Sequence, residues 1–240
     1  MQYVKIKDAI VEQIEAGMLS PRQKLPAERK LAESFDTTRV TLREALGLLE
    51  AEGRIYREDR RGWFISPAPL RYDPTQALNF TNMALAQNRQ PKTELLLAKA
   101  ILANKVASRL LNLQPFSDVY RVDRVRYLED RPVAYVTNYV RPERFPSLLD
   151  FDLSQSLTDI YRDHFGVVYQ QTRYRITTSS LLGDVVQALR ATSGTPAMVV
   201  ERVNYSQQGE LIDCHIEYWR HDALCIESLT QLSHHKPKAG

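Results

Sequence analysis

The chain is poor in the residues that redox and metal chemistry require. Cys214 and Cys225 are its only cysteines, they form no CxxC pair, and no histidine cluster surrounds them. That spacing excludes a disulfide framework and a zinc site of the usual kind, and reduced thiols in a cytoplasmic protein are the simplest reading. No metal and no cofactor is expected. No Gly-rich phosphate loop appears, and His164, His215 and His221 have no serine or cysteine partner at a catalytic spacing. No apolar run approaches the ~20 residues needed to span a bilayer. The N-terminus, Met1-Gln2-Tyr3-Val4-Lys5, opens directly into charged amphipathic sequence without a signal-peptide core. No membrane partner is expected.

What is present suits an ordinary globular protein: 240 residues, 43% hydrophobic, 25% charged, with a net charge of +3. That length accommodates two domains, each with its own core. Composition shifts near residues 66–75, where Pro67, Pro69 and Pro74 stiffen Ser66-Pro67-Ala68-Pro69-Leu70-Arg71-Tyr72-Asp73-Pro74 into an extended linker. The expected organisation is a first domain over 1–66, a linker over 67–77, a second domain over 78–232 and a frayed polar tail over 233–240.

The first part reads as three helices and a hairpin. Ile6, Ile10, Ile14 and Met18 recur at i, i+4 and predict an amphipathic helix ending near Gly17. A second helix starts just after Pro26 and buries Leu31, Ala32 and Phe35. Thr37 or Thr38 caps a third, which turns Leu42, Ala45, Leu46 and Leu49 inward and ends at Gly53. Ile55-Tyr56-Arg57 and Trp63-Phe64-Ile65 alternate around the polar segment 58–62, the pattern of a β-hairpin. Together they make a winged helix-turn-helix. Its third helix carries Arg39 and Arg43 one turn apart, with Thr37, Thr38 and Thr41 near its start. A recognition helix enters the major groove at its first turns, where Arg pairs bidentately with guanine and Thr meets phosphate or thymine. Arg29 is placed for the flanking backbone, and Arg60, Arg61 and Gly62 at the wing tip for the adjacent groove. The bland alternative is a solvated basic face on a protein-interaction module.

The runs Leu25-Pro26-Ala27-Glu28-Arg29-Lys30-Leu31-Ala32-Glu33-Ser34-Phe35, Thr38-Arg39-Val40-Thr41-Leu42-Arg43-Glu44-Ala45-Leu46, Glu52-Gly53 and Gly62-Trp63-Phe64-Ile65 strongly resemble the GntR family of bacterial regulators. The resemblance implies DNA contact by Arg29, Thr38, Arg39, Thr41 and Arg43, with Gly62 in the wing. Trp63 departs from the family's usual Gly-Thr at this point of the wing.

The second part mixes alternating strands and helical stretches. Strands are predicted at 119–127, 133–140, 171–178, 196–205 and 211–219, with helices at 154–164 and 181–191. This is an α+β pattern. Asn79-Phe80-Thr81, Arg124-Val125-Arg126 with Pro132 beyond, Gly194-Thr195-Pro196, Asp213, and Tyr218-Trp219-Arg220-His221-Asp222 resemble the UTRA effector domain of the HutC branch of GntR regulators. The resemblance implies a chorismate-lyase-like antiparallel sheet domain with helices, which binds a small metabolite and pairs subunits into a homodimer. It assigns the effector's acidic group to Arg124 and Arg126 with Asn79, Phe80 and Thr81, and the rest of the pocket to Asp213 and Trp219.

Independently, Arg124 and Arg126 project two guanidinium forks from one face of a strand, suited to a phosphate, phosphonate or carboxylate. Their alternative role is pairing with surface acids across the sheet. Arg173, with Arg175, shares a strand face and is a further candidate for the pocket. Val136 stands where phosphosugar-binding relatives often carry a glutamate, which points to a smaller effector with fewer hydroxyls. In overall texture this part is similar to regulators of phosphonate uptake and breakdown.

The expected function is a ligand-responsive, sequence-specific repressor on a palindromic double-stranded operator, released by a small anion. Two alternatives stand beside it: an enzyme on the chorismate-lyase-like fold, and a regulator whose effector is a carboxylate or imidazole metabolite.

Overall fold

A computed structural model describes residues 1–76 and 78–230. Ala77 and the tail expected over 233–240 lie outside the described residues. The first unit is α1 (Gln2–Glu15), α2 (Glu28–Ser34), α3 (Arg39–Ala51), β1 (Ile55–Glu58) and β2 (Gly62–Ile65). Its core joins Ile6 and Ile10 of α1, Leu31 and Ala32 of α2, and Leu42, Ala45, Leu46 and Leu49 of α3 with Ile55, Trp63 and Ile65 of the hairpin. Full burial of such side chains stabilises by roughly 1.5–3 kcal/mol each. Met18, which extends the apolar stripe in sequence, is exposed: α1 has ended at Glu15, and Gly17 at φ +73° turns the chain away. Thr38 caps α3 by accepting the Thr41 N–H at 3.2 Å.

The second unit is a six-stranded antiparallel sheet in the order β4-β5-β6-β9-β8-β7. The strands are β4 (Pro91–Leu102), β5 (Asp118–Leu128), β6 (Arg131–Val140), β7 (Gln171–Ser180), β8 (Pro196–Tyr205) and β9 (Leu211–Arg220). Helices α4 (Phe80–Leu85), α5 (Lys105–Leu111), α6 (Leu157–Phe165) and α7 (Asp184–Ala188) connect or cover them. Glu129 and Asp130, both at positive φ, close the β5–β6 hairpin as a two-residue turn.

The structure departs from the sequence reading in several places, α4 and α5 being two helices that reading did not contain. The stretch 66–72 is extended, Asp73 to Gln76 turns, and Leu70–Tyr72 forms β3 and pairs in parallel with β10 (Leu224–Ile226), so the connection is stitched into the second unit. The helix expected at 181–191 shrinks to the five residues of α7, because Gly183 before it and Arg190 just after it both sit at positive φ. Strand β4 has no counterpart in the sequence reading. Its centre, Glu94-Leu95-Leu96-Leu97-Ala98-Lys99-Ala100, is built of helix formers, and pairing along β5 with a bulge between Leu95 and Leu97 overrides that preference.

Candidate functional site

Two sites emerge, one on α3 and one on a face of the large sheet. On α3 the core stripe leaves Arg39, Val40 and Arg43 exposed. Arg43 is held from behind, its Nε donating to Glu28 Oε2 at 2.8 Å. Trp63 Nε1 donates to the other oxygen of Glu28 at 3.2 Å. Burial alone pulls the Glu28 carboxyl upward, but these two bonds and the Arg43 charge win and hold it below its ordinary value. One carboxylate thus ties α2, α3 and the wing. The bulky Trp63 faces inward and is buried, so this departure from the family pattern braces the wing rather than altering its outer surface.

Arg29 pairs with Glu33 on α2 at 2.9 Å, the i, i+4 spacing. Arg29, Thr37 and Arg39 line a shallow recess between α2 and α3. At the wing tip Arg61 is paired with Glu58, whereas the Arg60 side chain is 93% exposed.

The second site is a cavity of about 380 Å³, a size that admits a small metabolite. Asn79, Phe80, Thr81, Arg124, Arg126 and Trp219 all line it. Cross-strand register explains the convergence: Arg126 stands opposite Ala134 and that residue opposite Trp219, while Arg124 stands opposite Val136 and that residue opposite Glu217. Small or β-branched partners in the middle strand leave room above them. Arg173 and Asp213 are not among the lining residues. Arg173 pairs with Val203 on the opposite face, and the period of two brings its neighbours Thr172 and Tyr174 to the cavity instead. Asp213 lies on the cavity face one row further along, where it accepts the Tyr169 hydroxyl at 2.9 Å and Asn204 Nδ2 at 2.6 Å. It positions a wall of the cavity rather than forming one.

Sequence reasoning missed Arg202, His215, Asn138 and Glu217. Register places Arg202 opposite His215 and His215 opposite Asn138, and the alternation of β8 and β9 was the signal available for them. Arg124 donates to Gln155 O and to Asn138 Oδ1, each at 3.0 Å. Arg126 donates to Glu217 Oε1 at 3.3 Å and lies 5.0 Å from the Phe80 ring centroid. Arg202 packs 5.1 Å from the Tyr174 centroid. The Nε atoms of Arg124 and Arg202 and the Tyr72 hydroxyl, all on lining residues, have no hydrogen-bond partner among the described residues.

Burial, with the Arg126 charge added, brings the Arg124 guanidinium down to about 10, so it stays charged near neutrality. Glu217 would be raised by burial, but Arg126 and His215 hold its carboxyl far below the ordinary range. Of the four lining guanidiniums, Arg162 is paired with Asp159 and Asp163; the other three face one carboxylate, and the cavity carries net positive charge.

His215 Nε2 stands 3.2 Å from Glu217 Oε1. Burial first, and the Arg202 charge second, push the imidazole below its ordinary value and keep it neutral. A depressed histidine supports the fold fully above the unfolded-state value near 6.5 and loses that contribution as pH falls below it. Glu217 acts with the same sign at far lower pH. Glu50, raised by burial, acts with the opposite sign. Wild-type protein is therefore expected to lose thermal stability from pH 7 to pH 5, and His215→Gln to lose less. Identical pH dependence in melting midpoints of the two proteins would contradict this assignment.

A third feature joins the two units. Arg131 Nη2 donates to both oxygens of Asp222, at 2.8 and 2.7 Å, and Ser66 Oγ donates to the same carboxylate at 2.9 Å. The Arg131 guanidinium lies 3.5 Å from the ring centroid of Tyr56 in β1. Arg220 donates to Arg57 O at 2.6 Å and to Leu189 O at 2.8 Å. His221 Nε2 stands 2.5 Å from Glu50 O at the end of α3. Tyr56, Arg131, Arg220 and Asp222 are all buried. Beside the chain connection itself, the joint makes a polar contact between the wing and the ends of β6 and β9.

No helix among the described residues is long and apolar enough to cross a membrane. Residues 2–65 match the model for bacterial regulatory proteins of the gntR family, and residues 86–224 match the UTRA domain. The chain is 30% identical to the uncharacterized HTH-type transcriptional regulator YihL of Escherichia coli (strain K12), over 91% of this chain and 93% of that protein. It is 26% identical to the HTH-type transcriptional repressor NagR of Bacillus subtilis (strain 168), over 86% and 85% of the two chains. In fold it is similar to the crystal structure of PhnF from Mycobacterium smegmatis, with a TM-score of 0.67, 24% identity, and coverage of 95% of this chain and 100% of that one. The chain belongs to the gntR family of bacterial regulatory proteins and is a transcriptional regulator, not an enzyme, with a DNA-binding helix-turn-helix followed by a UTRA domain.

Proposed function

We propose that the protein is a cytoplasmic, homodimeric repressor that binds a palindromic operator and is released by a small anionic metabolite. The observation that carries this reading is the convergence of Arg124, Arg126 and Arg202 on one cavity with a single compensating carboxylate, Glu217. Such an excess of buried positive charge favours an anion, and two of the three guanidiniums keep an unpaired Nε–H. The valine at position 136 and the modest volume favour a compact phosphonate or phosphate over a hydroxyl-rich sugar. Pairing of two heads on one operator follows from two-fold symmetry, which matches palindromic half-sites to paired α3 helices. The heads contact DNA through Arg39, Arg43, Thr38 and Thr41 on α3, with Arg29, Thr37, Arg60, Arg61 and Gly62 on the flanking backbone and adjacent groove. We place the domain division near residue 66; Leu70 and Tyr72 already belong to the second core, so the second unit takes in part of the stretch read as a linker.

The effector acts through the joint. Strand β9 carries Glu217 and Trp219 in the cavity and ends in Arg220, with Asp222 two residues on; β6 carries Asn138 in the cavity and begins at Arg131. A ligand that re-pairs Arg126 or Glu217 moves strands whose ends hold the wing. It can shift the heads only by its differential affinity for the two arrangements. A thermal-unfolding screen against phosphonates, phosphosugars, carboxylates and imidazole metabolites tests the class of effector. A ligand at a hundred times its Kd adds about 2.7 kcal/mol. A midpoint rise with a phosphonate or phosphate supports the reading, and a rise only with a neutral or cationic compound overturns it.

A further inference from the structure

Val40 is the more exposed of the two large apolar residues, Val40 and Leu48, that α3 leaves outside the core. It sits in the first turn, directly after Arg39, and is 69% exposed. At 3.6 residues per turn it lies about 200° around the helix from the buried Leu42, so it points straight away from the core. A β-branched side chain is also a weaker helix former than alanine, leucine or lysine, because it loses χ1 freedom against the turn. An exposed valine here therefore gains nothing from packing and costs some helix stability. On the helix surface Arg43 lies one turn on to one side of it, with Arg39 beyond on that same side and Glu44 on the other, and Arg43 is pre-oriented by Glu28 and Trp63.

We infer that Val40 is a specificity-determining residue that packs against the 5-methyl group of a thymine in the major groove. Thymine is the one base that presents an apolar group on that edge. A branched, exposed apolar side chain beside Arg43 matches that group in size and polarity, whereas the arginines match guanine O6 and N7 or phosphate. The inference rests on α3 reading DNA as proposed above. It adds a geometric constraint. Val40 and Arg43 are three residues apart, about 4.5 Å along the helix axis, and successive base pairs are about 3.4 Å apart. The thymine read by Val40 therefore lies within two base pairs of any guanine read by Arg43.

The test begins with selection of bound duplexes from random double-stranded DNA by the full-length protein. In the preferred duplex each thymine of one half-site is then replaced singly by deoxyuracil, which removes only the methyl group. Affinities of wild type, Val40→Ala and Arg43→Ala are measured by fluorescence anisotropy at one salt concentration. Wild type is expected to lose about fourfold at one thymine, the worth of one buried methyl. Val40→Ala binds the unmodified duplex more weakly and shows no further loss at that same position. If Arg43→Ala relaxes a guanine preference, that guanine falls within two base pairs of it. Equal uracil effects in wild type and Val40→Ala at every position, or no uracil effect anywhere, would overturn the assignment of Val40 while leaving DNA binding intact. Failure of the selection to enrich any duplex would overturn both, since α3 would then not be reading bases. Equal melting midpoints for wild type and Val40→Ala show that the exposed substitution leaves the fold unchanged.

Discussion

Asp222→Ala is expected to lower the unfolding free energy by about 3–5 kcal/mol, the cost of stranding a buried charge. Asp222 is the only carboxylate that Arg131 touches among the described ion pairs, and both of its oxygens accept from the same Nη2. Nε and Nη1 of Arg131 have no partner among the described residues. Removing Asp222 therefore leaves a guanidinium buried against Tyr56 with no counter-charge. Arg220 is close by, and burial with the Arg131 charge already lowers it to about 10. Against a typical total of about 5–15 kcal/mol, such a loss is large. It should appear in urea unfolding as a lower midpoint. The paired replacement Arg131→Met with Asp222→Leu should recover much of the loss, because two apolar groups leave no charge behind. A loss below about 1 kcal/mol in Asp222→Ala would mean that the joint opens to water and does not fix the wing.

Arg124→Met should abolish the response to the effector while sparing operator affinity. Truncating one member of a buried, hydrogen-bonded charge pair costs about 2–5 kcal/mol, so effector affinity should fall at least about thirtyfold. Arg124 makes no hydrogen bond to α3: its bonds go to Gln155 and Asn138, both within the second unit. The substitution leaves those two acceptors unpaired and so lowers stability by about 1–3 kcal/mol. Arg202→Met removes a cavity cation that is paired with no carboxylate among the described residues, and separates the two effects: it should weaken effector binding with a smaller stability change. Titration calorimetry with the compound found by screening, beside anisotropy with the selected duplex, gives both numbers. Full effector response in both variants would place the ligand elsewhere.

Much of this was legible in the sequence, and the reasons for the remainder are physical. The first unit follows from its periodicity because each helix buries one stripe and the wing alternates cleanly. Arg124 and Arg126 could be placed on one face because they stand two apart around Val125 in a continuous strand. Strand β4 was hidden because Leu95 to Ala100 prefer a helix in isolation and become a strand only when β5 offers its edge. The choice of Arg173 over Arg202 turned on which face of the sheet is covered, and a strand's own alternation does not say which parity faces the cavity. Trp219-Arg220-His221-Asp222 stood out as a motif, but the roles of its last three residues depend on where the wing docks, and no local pattern encodes that contact.

The most direct test of the account is the coupling between its two sites. The affinity of the selected duplex is measured with and without saturating effector, and that of the effector with and without saturating duplex, at one salt concentration. The account predicts that each ligand weakens the other by the same factor, in the range of about 5–150-fold typical of allosteric coupling. An effector that raises the melting midpoint yet leaves both affinities unchanged would contradict it.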